Sequence, residues 1–164
     1  MSLRLELGLK TTPEGPRLTR TPVKELDALR SKSRSWDARE YKAGESTAKE
    51  FGGSQWEVRG TFQPDDAARF ELGVGGAVLS YDAKANELKL GDHKVEVPLR
   101  EGRLSIRLYI DRTALELFTA DGLINIPLPA IAQTRKPELT FKLHAGSAKV
   151  EALIVDELKS IWTK

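Results

Sequence analysis

Hydrophobic and polar residues alternate along most of this chain in short runs that are separated by turn residues. From Leu3 to Leu9 every second residue is a leucine, and from Leu104 to Ile110 every second residue is aliphatic. This two-residue period is typical of antiparallel strands with one buried face. The pattern therefore predicts an all-β fold.

Turn residues mark where these strands reverse. Proline, glycine, asparagine and aspartate cluster between the alternating runs, at Thr12–Gly15, Gly75–Gly76, Asp82–Asn86, Gly91–Asp92, Asp111–Thr113, Asp121–Gly122 and Ala145–Ser147. Such clusters favour hairpins and short loops. About a dozen strands joined in this way predict an antiparallel two-sheet β-sandwich of the jelly-roll or concanavalin-like type.

One segment near the N-terminus has the pattern of a helix instead. Thr21 is a suitable N-cap and Pro22 suits the first helical position, while Val23, Leu26 and Leu29 are spaced three residues apart. We predict a single short helix of about two to three turns here.

The stretch from Arg30 to Gly53 loses the alternation. It is rich in serine, lysine and other polar residues, with Trp36, Tyr41 and Phe51 as isolated aromatic residues. We predict a long connection that contains one or two edge strands, with the small basic cluster at its start in a solvated loop: Arg30, Lys32 and Arg34.

Composition excludes several classes of protein. The 164 residues suit one domain. The absence of cysteine excludes disulfides, thiolate-bound zinc and a cysteine nucleophile. The 26 basic and 24 acidic residues nearly cancel, so nucleic-acid binding is not expected. No apolar run approaches the ~20 residues that cross a bilayer, and no signal peptide is expected, which leaves a cytoplasmic and a secreted parent both open.

No metal or cofactor site is expected. The two histidines, His93 and His144, are 51 positions apart, and we expect His93 in a solvated turn. Asp65 and Asp66 lack the further acidic residues of a calcium loop, so a capped turn is expected there.

No catalytic residue is expected either. The sequence has no Gly-x-Ser-x-Gly motif, and its glycine-rich string Gly73–Gly76 predicts a hairpin rather than a phosphate loop. A glycosidase needs two carboxylates across a sugar. Here every acidic residue falls in a turn or on a polar face, and none is expected to be buried beside another.

Aromatic residues are the remaining candidates for contact with sugars. Trp56 is in phase with Val58 and is expected in the core. Trp36, Tyr41 and Trp162 lie outside the strongest alternation and are the freer rings that could stack on a sugar.

Three segments resemble a known family. They are Leu104–Gly122 with its Asp-Arg-Thr turn and Phe-Thr-Ala-Asp-Gly ending, Glu157–Trp162, and the stretch from Leu5 to Arg30. Together they resemble the C-terminal β-sandwich of glycoside hydrolase family 32, the invertases, levanases and inulinases.

The resemblance implies a division of labour. In that family the catalytic carboxylates lie in an N-terminal five-bladed propeller, in Asn-Asp-Pro, Arg-Asp-Pro and Glu-Cys motifs, and this sequence contains none of them. Asp111–Arg112 has the reverse order and is expected to play a structural role in its turn. Five blades of about 40 residues would need more than the whole chain.

We therefore expect residues 1–30 to be a hairpin and short helix leading from the propeller, and residues 31–164 to be the C-terminal sandwich module. The resemblance implies a non-catalytic module that stabilises the propeller of a retaining β-fructofuranosidase, with that propeller as partner and a homodimer as a further option. Two alternatives stay open: a carbohydrate-binding module with its own affinity for fructo-oligosaccharides, and a free-standing lectin-like domain.

Overall fold

Two antiparallel sheets and a separate hairpin make up the computed structural model, which describes residues 3–129 and 137–159. The all-β sandwich that the alternation predicts is confirmed. The strands are β1 (Leu5–Thr12), β2 (Gly15–Pro22), β3 (Arg30–Trp36), β4 (Arg39–Lys42), β5 (Ser46–Glu50), β6 (Trp56–Pro64), β7 (Arg69–Val74), β8 (Ala77–Asp82), β9 (Glu87–Leu90), β10 (His93–Glu96), β11 (Leu104–Ile110), β12 (Ala114–Thr119), β13 (Ile124–Pro129), β14 (Glu138–Ala145) and β15 (Ser147–Leu158).

The seven-stranded sheet has the order β13-β12-β11-β6-β15-β3, with β4 also paired to β15. The six-stranded sheet has the order β10-β9-β8-β7-β14-β5. Strands β1 and β2 pair only with each other and form a two-stranded sheet of their own.

The core lies between the two larger sheets and follows the alternation closely. On β6 the side chains of Trp56, Val58 and Phe62 are buried in this core. Phe62 packs against Phe70 and Phe141 of the other sheet, with ring centroids 5.0 and 5.7 Å away. The intervening residues of β6, such as Glu57 and Arg59, point to the outer face of the seven-stranded sheet.

The predicted hairpins are confirmed. Gly75 and Gly76 connect β7 to β8, and the Asp111–Thr113 turn connects β11 to β12. The next turn returns the chain as β13, so that β11, β12 and β13 form the predicted three-stranded meander.

The turn at Gly146 does something different, because it carries the chain from one sheet to the other. Strand β14 lies in the six-stranded sheet and β15 in the seven-stranded sheet. Gly146 has φ +69°, and a Cβ there would lie 2.6 Å from the backbone nitrogen of Ala68. Both the dihedral angle and the close packing require glycine at this crossing.

The predicted short N-terminal helix is confirmed, but it begins later than predicted. Thr21 and Pro22 end β2, and the helix that follows, Lys24–Leu29, is of the 3-10 type. The backbone N–H of Val23 donates to the carbonyl of Arg4, which holds Val23 in an extended conformation. None of the six helical residues is buried. An apolar stripe without a surface to bury it does not sustain an α-helix.

No helix in the described part of the chain is long and apolar enough to cross a membrane.

The connection predicted for Arg30–Gly53 contains edge strands as expected, but three strands are present rather than one or two. Strands β3 and β4 pair with β15, and β5 pairs with β14. All three lie at or beside a sheet edge, where side chains are largely solvated. This explains why their sequence lacks a hydrophobic period.

Candidate functional site

A row of polar side chains crosses the outer face of the seven-stranded sheet. Asp156, Glu57, Tyr109 and Glu116 lie on four neighbouring strands, and each is directly opposite the next in the strand register. All four are buried, and the two neighbouring carboxylates at one end of the row, Asp156 and Glu57, have no solvent exposure. Buried carboxylates need a positive charge or hydrogen-bond donors beside them, and clusters of buried titratable groups are often found at functional sites. The row is therefore the candidate site.

Residues that precede β3 cover part of this outer face. The backbone N–H of Leu3 donates to Oε1 of Glu116 over 2.7 Å. Asp27 of the 3-10 helix accepts a hydrogen bond from Arg107 of β11. Tyr109 and Phe118 are buried here outside the main core, with their rings at right angles and 6.2 Å apart. The N-terminal segment is thus packed against the sheet.

Among the arginines that contact this row, Arg30 has the largest number of carboxylate partners. Its Nε donates to Oε2 of Glu57 over 2.6 Å and its Nη2 donates to Oε1 over 3.0 Å. The same Nη2 lies 2.7 Å from Oδ1 of Asp27, and Nε lies 3.6 Å from Oδ2 of Asp156. A bidentate guanidinium–carboxylate pair is the strongest form of this interaction.

Arg59 and Arg107 complete the compensation. Nη2 of Arg59 donates to Oδ2 of Asp156 over 2.7 Å, and Ser33 donates to the other oxygen of that carboxylate. Nε of Arg107 and the hydroxyl of Tyr109 both donate to Oε1 of Glu57. Three guanidinium groups therefore face three carboxylates: those of Asp27, Glu57 and Asp156.

The pKa of Glu57 shows how this balance holds the carboxylate in its charged form. Burial alone raises the pKa, but the hydrogen bonds from Arg30 and the nearby charge of Arg107 outweigh burial, so the pKa lies below its ordinary value of 4.5. The hydrogen bond to Glu57 raises the pKa of Arg30 above its ordinary value. Burial, and then the charge of Glu57, raises the pKa of the Tyr109 hydroxyl.

These features describe a structural lock rather than an active site. A glycosidase acid must carry a proton near neutral pH and must reach a sugar. Glu57 and Asp156 are inaccessible to solvent and bonded to arginines, and Glu57 is held ionised. The network ties β3 and the 3-10 helix to the sheet, and it offers no acid or base to a substrate.

Two features of this network differ from what the sequence predicts. No buried carboxylate is expected beside another, yet Glu57 and Asp156 are such a pair. Arg30 is expected in a solvated loop, whereas it begins β3 and its side chain is only 22% exposed. A signal was present in the sequence: Asp156 follows an apolar run in β15, where an acidic residue requires a buried partner.

Two of the three rings proposed for sugar stacking are buried. Trp36 and Tyr41 are only 8% and 5% exposed, so the prediction that they are free is wrong. The Tyr41 ring packs 4.9 Å from that of Phe141, and Lys49 lies over the Trp36 ring. Both belong to the core because β3 and β4 are strands rather than loop. Trp162 lies outside the described residues. Trp56 is in the core, as predicted.

The Asp111–Thr113 turn has the structural role expected of it. Oδ1 of Asp111 accepts hydrogen bonds from the amide of Arg112 and from the side chain of Gln55. The backbone N–H of Asp111 donates to the carbonyl of Ala114 over 2.8 Å, which closes the hairpin.

The capped turn predicted at Asp65 is confirmed by its contacts. Its carboxylate caps a turn by accepting from the amides of Ala67 and Ser147 and from the Ser147 hydroxyl. His93 is exposed at the start of β10, and Nε2 of His144 lies 3.1 Å from Glu71. Within residues 3–129 and 137–159, no three histidine, aspartate or glutamate side chains are grouped to hold a metal ion.

A shallow depression of about 560 Å³ lies on the outer face of the six-stranded sheet. Its polar lining consists of Arg69, Glu71, Ser80, Asp82, Glu87 and His144. The aromatic residues beneath it, Phe70 and Tyr81, are each 1% exposed and offer no surface on which a sugar ring could stack. The described face therefore lacks the aromatic platform that the carbohydrate-binding alternative requires.

Residues 25–126 match the family model described as glycosyl hydrolases family 32 C terminal. The chain belongs to this family. The match covers most of the sandwich, from the 3-10 helix to β13, and includes three members of the polar row: Glu57, Tyr109 and Glu116.

Curated relatives agree with this family 32 assignment. The chain is 27% identical to a levanase of Bacillus subtilis (strain 168) over 98% of its own length and 27% of the levanase. It is 23% identical to a fructan beta-fructosidase of Streptococcus mutans serotype c over 99% of its length and 13% of that protein. The chain thus spans about a quarter or less of the curated relatives it matches.

Solved structures show the same fold. An exo-inulinase from Aspergillus awamori superposes with a TM-score of 0.80 over 99% of this chain and 36% of its own, at 15% identity. A beta-fructofuranosidase from Schwanniomyces occidentalis superposes with a TM-score of 0.74 over 97% of this chain and 40% of its own, at 14% identity. This family 32 domain therefore occurs within longer chains.

Proposed function

We propose that this domain is the non-catalytic C-terminal sandwich of a retaining family 32 hydrolase that cleaves β-fructofuranosides, and that it stabilises the catalytic propeller of the same chain. The observation that carries the proposal is the family match together with the arginine-locked state of the buried carboxylates. The substrate class follows from the relatives, which are named levanase and fructan beta-fructosidase.

The division of the chain forms part of the proposal. Residues 1–30, which contain the hairpin and the 3-10 helix, connect the propeller to the sandwich, and residues 31–164 form the module itself. In support, β1 and β2 join neither large sheet, whereas β3 pairs with β15 inside the seven-stranded sheet.

Two measurements test the proposal. The isolated chain, incubated with sucrose, levan and inulin, is expected to release no fructose. In the parent enzyme, deletion of the module is expected to lower the melting temperature and accelerate thermal inactivation. Fructose release that disappears when one carboxylate of this chain is substituted would contradict the non-catalytic role. A truncated parent as heat-stable as the complete enzyme would contradict the stabilising role.

A further inference from the structure

The hairpin of β1 and β2 carries its leucines on the outside. Leu7, Leu9 and Leu18 are 63%, 79% and 41% exposed. Leu9 and Leu18 are directly opposite each other across the two strands, and Leu7 lies two residues along the same face. We call these three residues the leucine face.

The other side of the hairpin is small and polar. It contains Gly8, Lys10 and Thr19, which are partly covered. Nζ of Lys10 lies 2.7 Å from Oδ2 of Asp121 at the rim of the sandwich. The usual amphipathic arrangement is therefore inverted, because the polar side faces the rest of the domain and the apolar side faces away from it.

The leucine face also lacks support from the sandwich. The contacts that hold the hairpin lie away from the leucine face. Val23 donates to the carbonyl of Arg4 at its base, Lys10 pairs with Asp121 near its tip, and the backbone of Arg20 and the methyl group of Thr21 lie beside Gly122. Isolated two-stranded sheets are marginally stable in water. Of the four large hydrophobic residues exposed among the described residues, three form this face, and Val78 is alone on the other sheet. Such clustering marks a surface that another part of a protein covers.

We propose that the leucine face docks against an apolar surface of the catalytic portion of the same parent chain. This inference rests on the proposed function, since it requires that portion to exist. The family model begins at residue 25, after the hairpin, so the hairpin is not part of what defines the sandwich family. Nevertheless, the exo-inulinase superposes on 99% of this chain, hairpin included, and has nearly two thirds of its own chain outside the match.

The test uses the complete parent enzyme and a triple variant, Leu7→Thr with Leu9→Thr and Leu18→Thr. Threonine keeps the strand propensity and removes the apolar surface. Burial of one leucine is worth about tenfold in an equilibrium constant, so thermal inactivation of the triple variant is expected to be at least about tenfold faster, with kcat/KM of the native fraction unchanged. The matched control, Val78→Thr, is expected to inactivate at the wild-type rate.

The isolated 164-residue chain supplies the second readout. Here the triple variant is expected to keep the melting temperature of the sandwich and to bind less of an apolar fluorescent dye than the wild type. A wild-type chain that dimerises, and becomes monomeric in the triple variant, would overturn the inference by making a second copy the occupant.

The deletion described above separates the two proposals. If deletion of the module destabilises the parent enzyme but the triple variant does not, the docking inference fails and the proposed function stands. If deletion has no effect, the proposed function itself fails.

Discussion

Glu57 and Asp156 lie directly opposite each other on β6 and β15, and both are fully buried with a negative charge compensated by arginines. Like charges in this position repel each other. The pair is stable only because Arg30, Arg59 and Arg107 surround it. This relationship makes the outer face of the seven-stranded sheet the most sensitive part of the described structure to loss of a cation.

Arg30→Met is expected to destabilise the isolated domain by about 3 kcal/mol, because it leaves Glu57 buried without its bidentate partner. Urea unfolding followed by tryptophan fluorescence measures this free energy. The control is Lys32→Met two residues along the same strand, where the side chain is exposed and a change within about 0.5 kcal/mol is expected. Equal effects of the two substitutions would contradict the lock.

Glu57→Gln is expected to alter how stability depends on pH. The pKa of Glu57 is lowered in the folded state, so its charge contributes stability above the ordinary pKa of 4.5, and this contribution is lost as the pH falls through the folded value. The wild type should therefore lose more stability than the variant below about pH 4.5. Unfolding free energies measured from pH 7 downward test this, and parallel curves would exclude it.

Gly146→Ala is expected to destabilise the domain by at least about 2 kcal/mol, because a Cβ would meet Ala68 in addition to the cost of φ +69°. Gly44→Ala is the matched control. Gly44 has φ +88° with no atom within 4 Å of the added Cβ, so only about 1 kcal/mol is expected. The difference between the two melting temperatures measures the packing at the sheet crossing.

Tyr41→Ala is expected to act on stability and not on sugar binding. The ring is buried against Phe141, so its loss should cost about 3 kcal/mol. Calorimetric titration of the wild-type chain with fructo-oligosaccharides is expected to give no saturable heat. Saturable binding that is lost in Tyr41→Ala, at a temperature where the variant remains folded, would favour the carbohydrate-binding alternative.

The sequence was most informative where alternation was regular. The meander around Asp111 and the hairpin at Gly75 and Gly76 could be located because each strand has one buried face and one solvated face. The family resemblance was likewise readable from short motifs around these turns.

The edge strands and the charge network could not be predicted in the same way. Strands β3 and β4 are fixed by pairing with β15, more than a hundred residues away, and not by any local period. A comparable separation hid the approach of Asp156 to Arg30 and the packing of Tyr41 against Phe141. The outward leucines had the pattern of an ordinary strand, since alternation does not specify which face is covered.

Strand β15 determines when the seven-stranded sheet can be completed during synthesis of the chain. It pairs with β3, β4 and β6, although it follows all of them by more than eighty residues. While the ribosome is still synthesising the intervening sequence, β6 has only β11 as a sheet neighbour and the arginines of the outer face have no Asp156 to bind. Contacts between such distant residues form slowly. The seven-stranded sheet therefore closes late, and the edge of β6 that faces away from β11 stays unpaired until β15 has been synthesised.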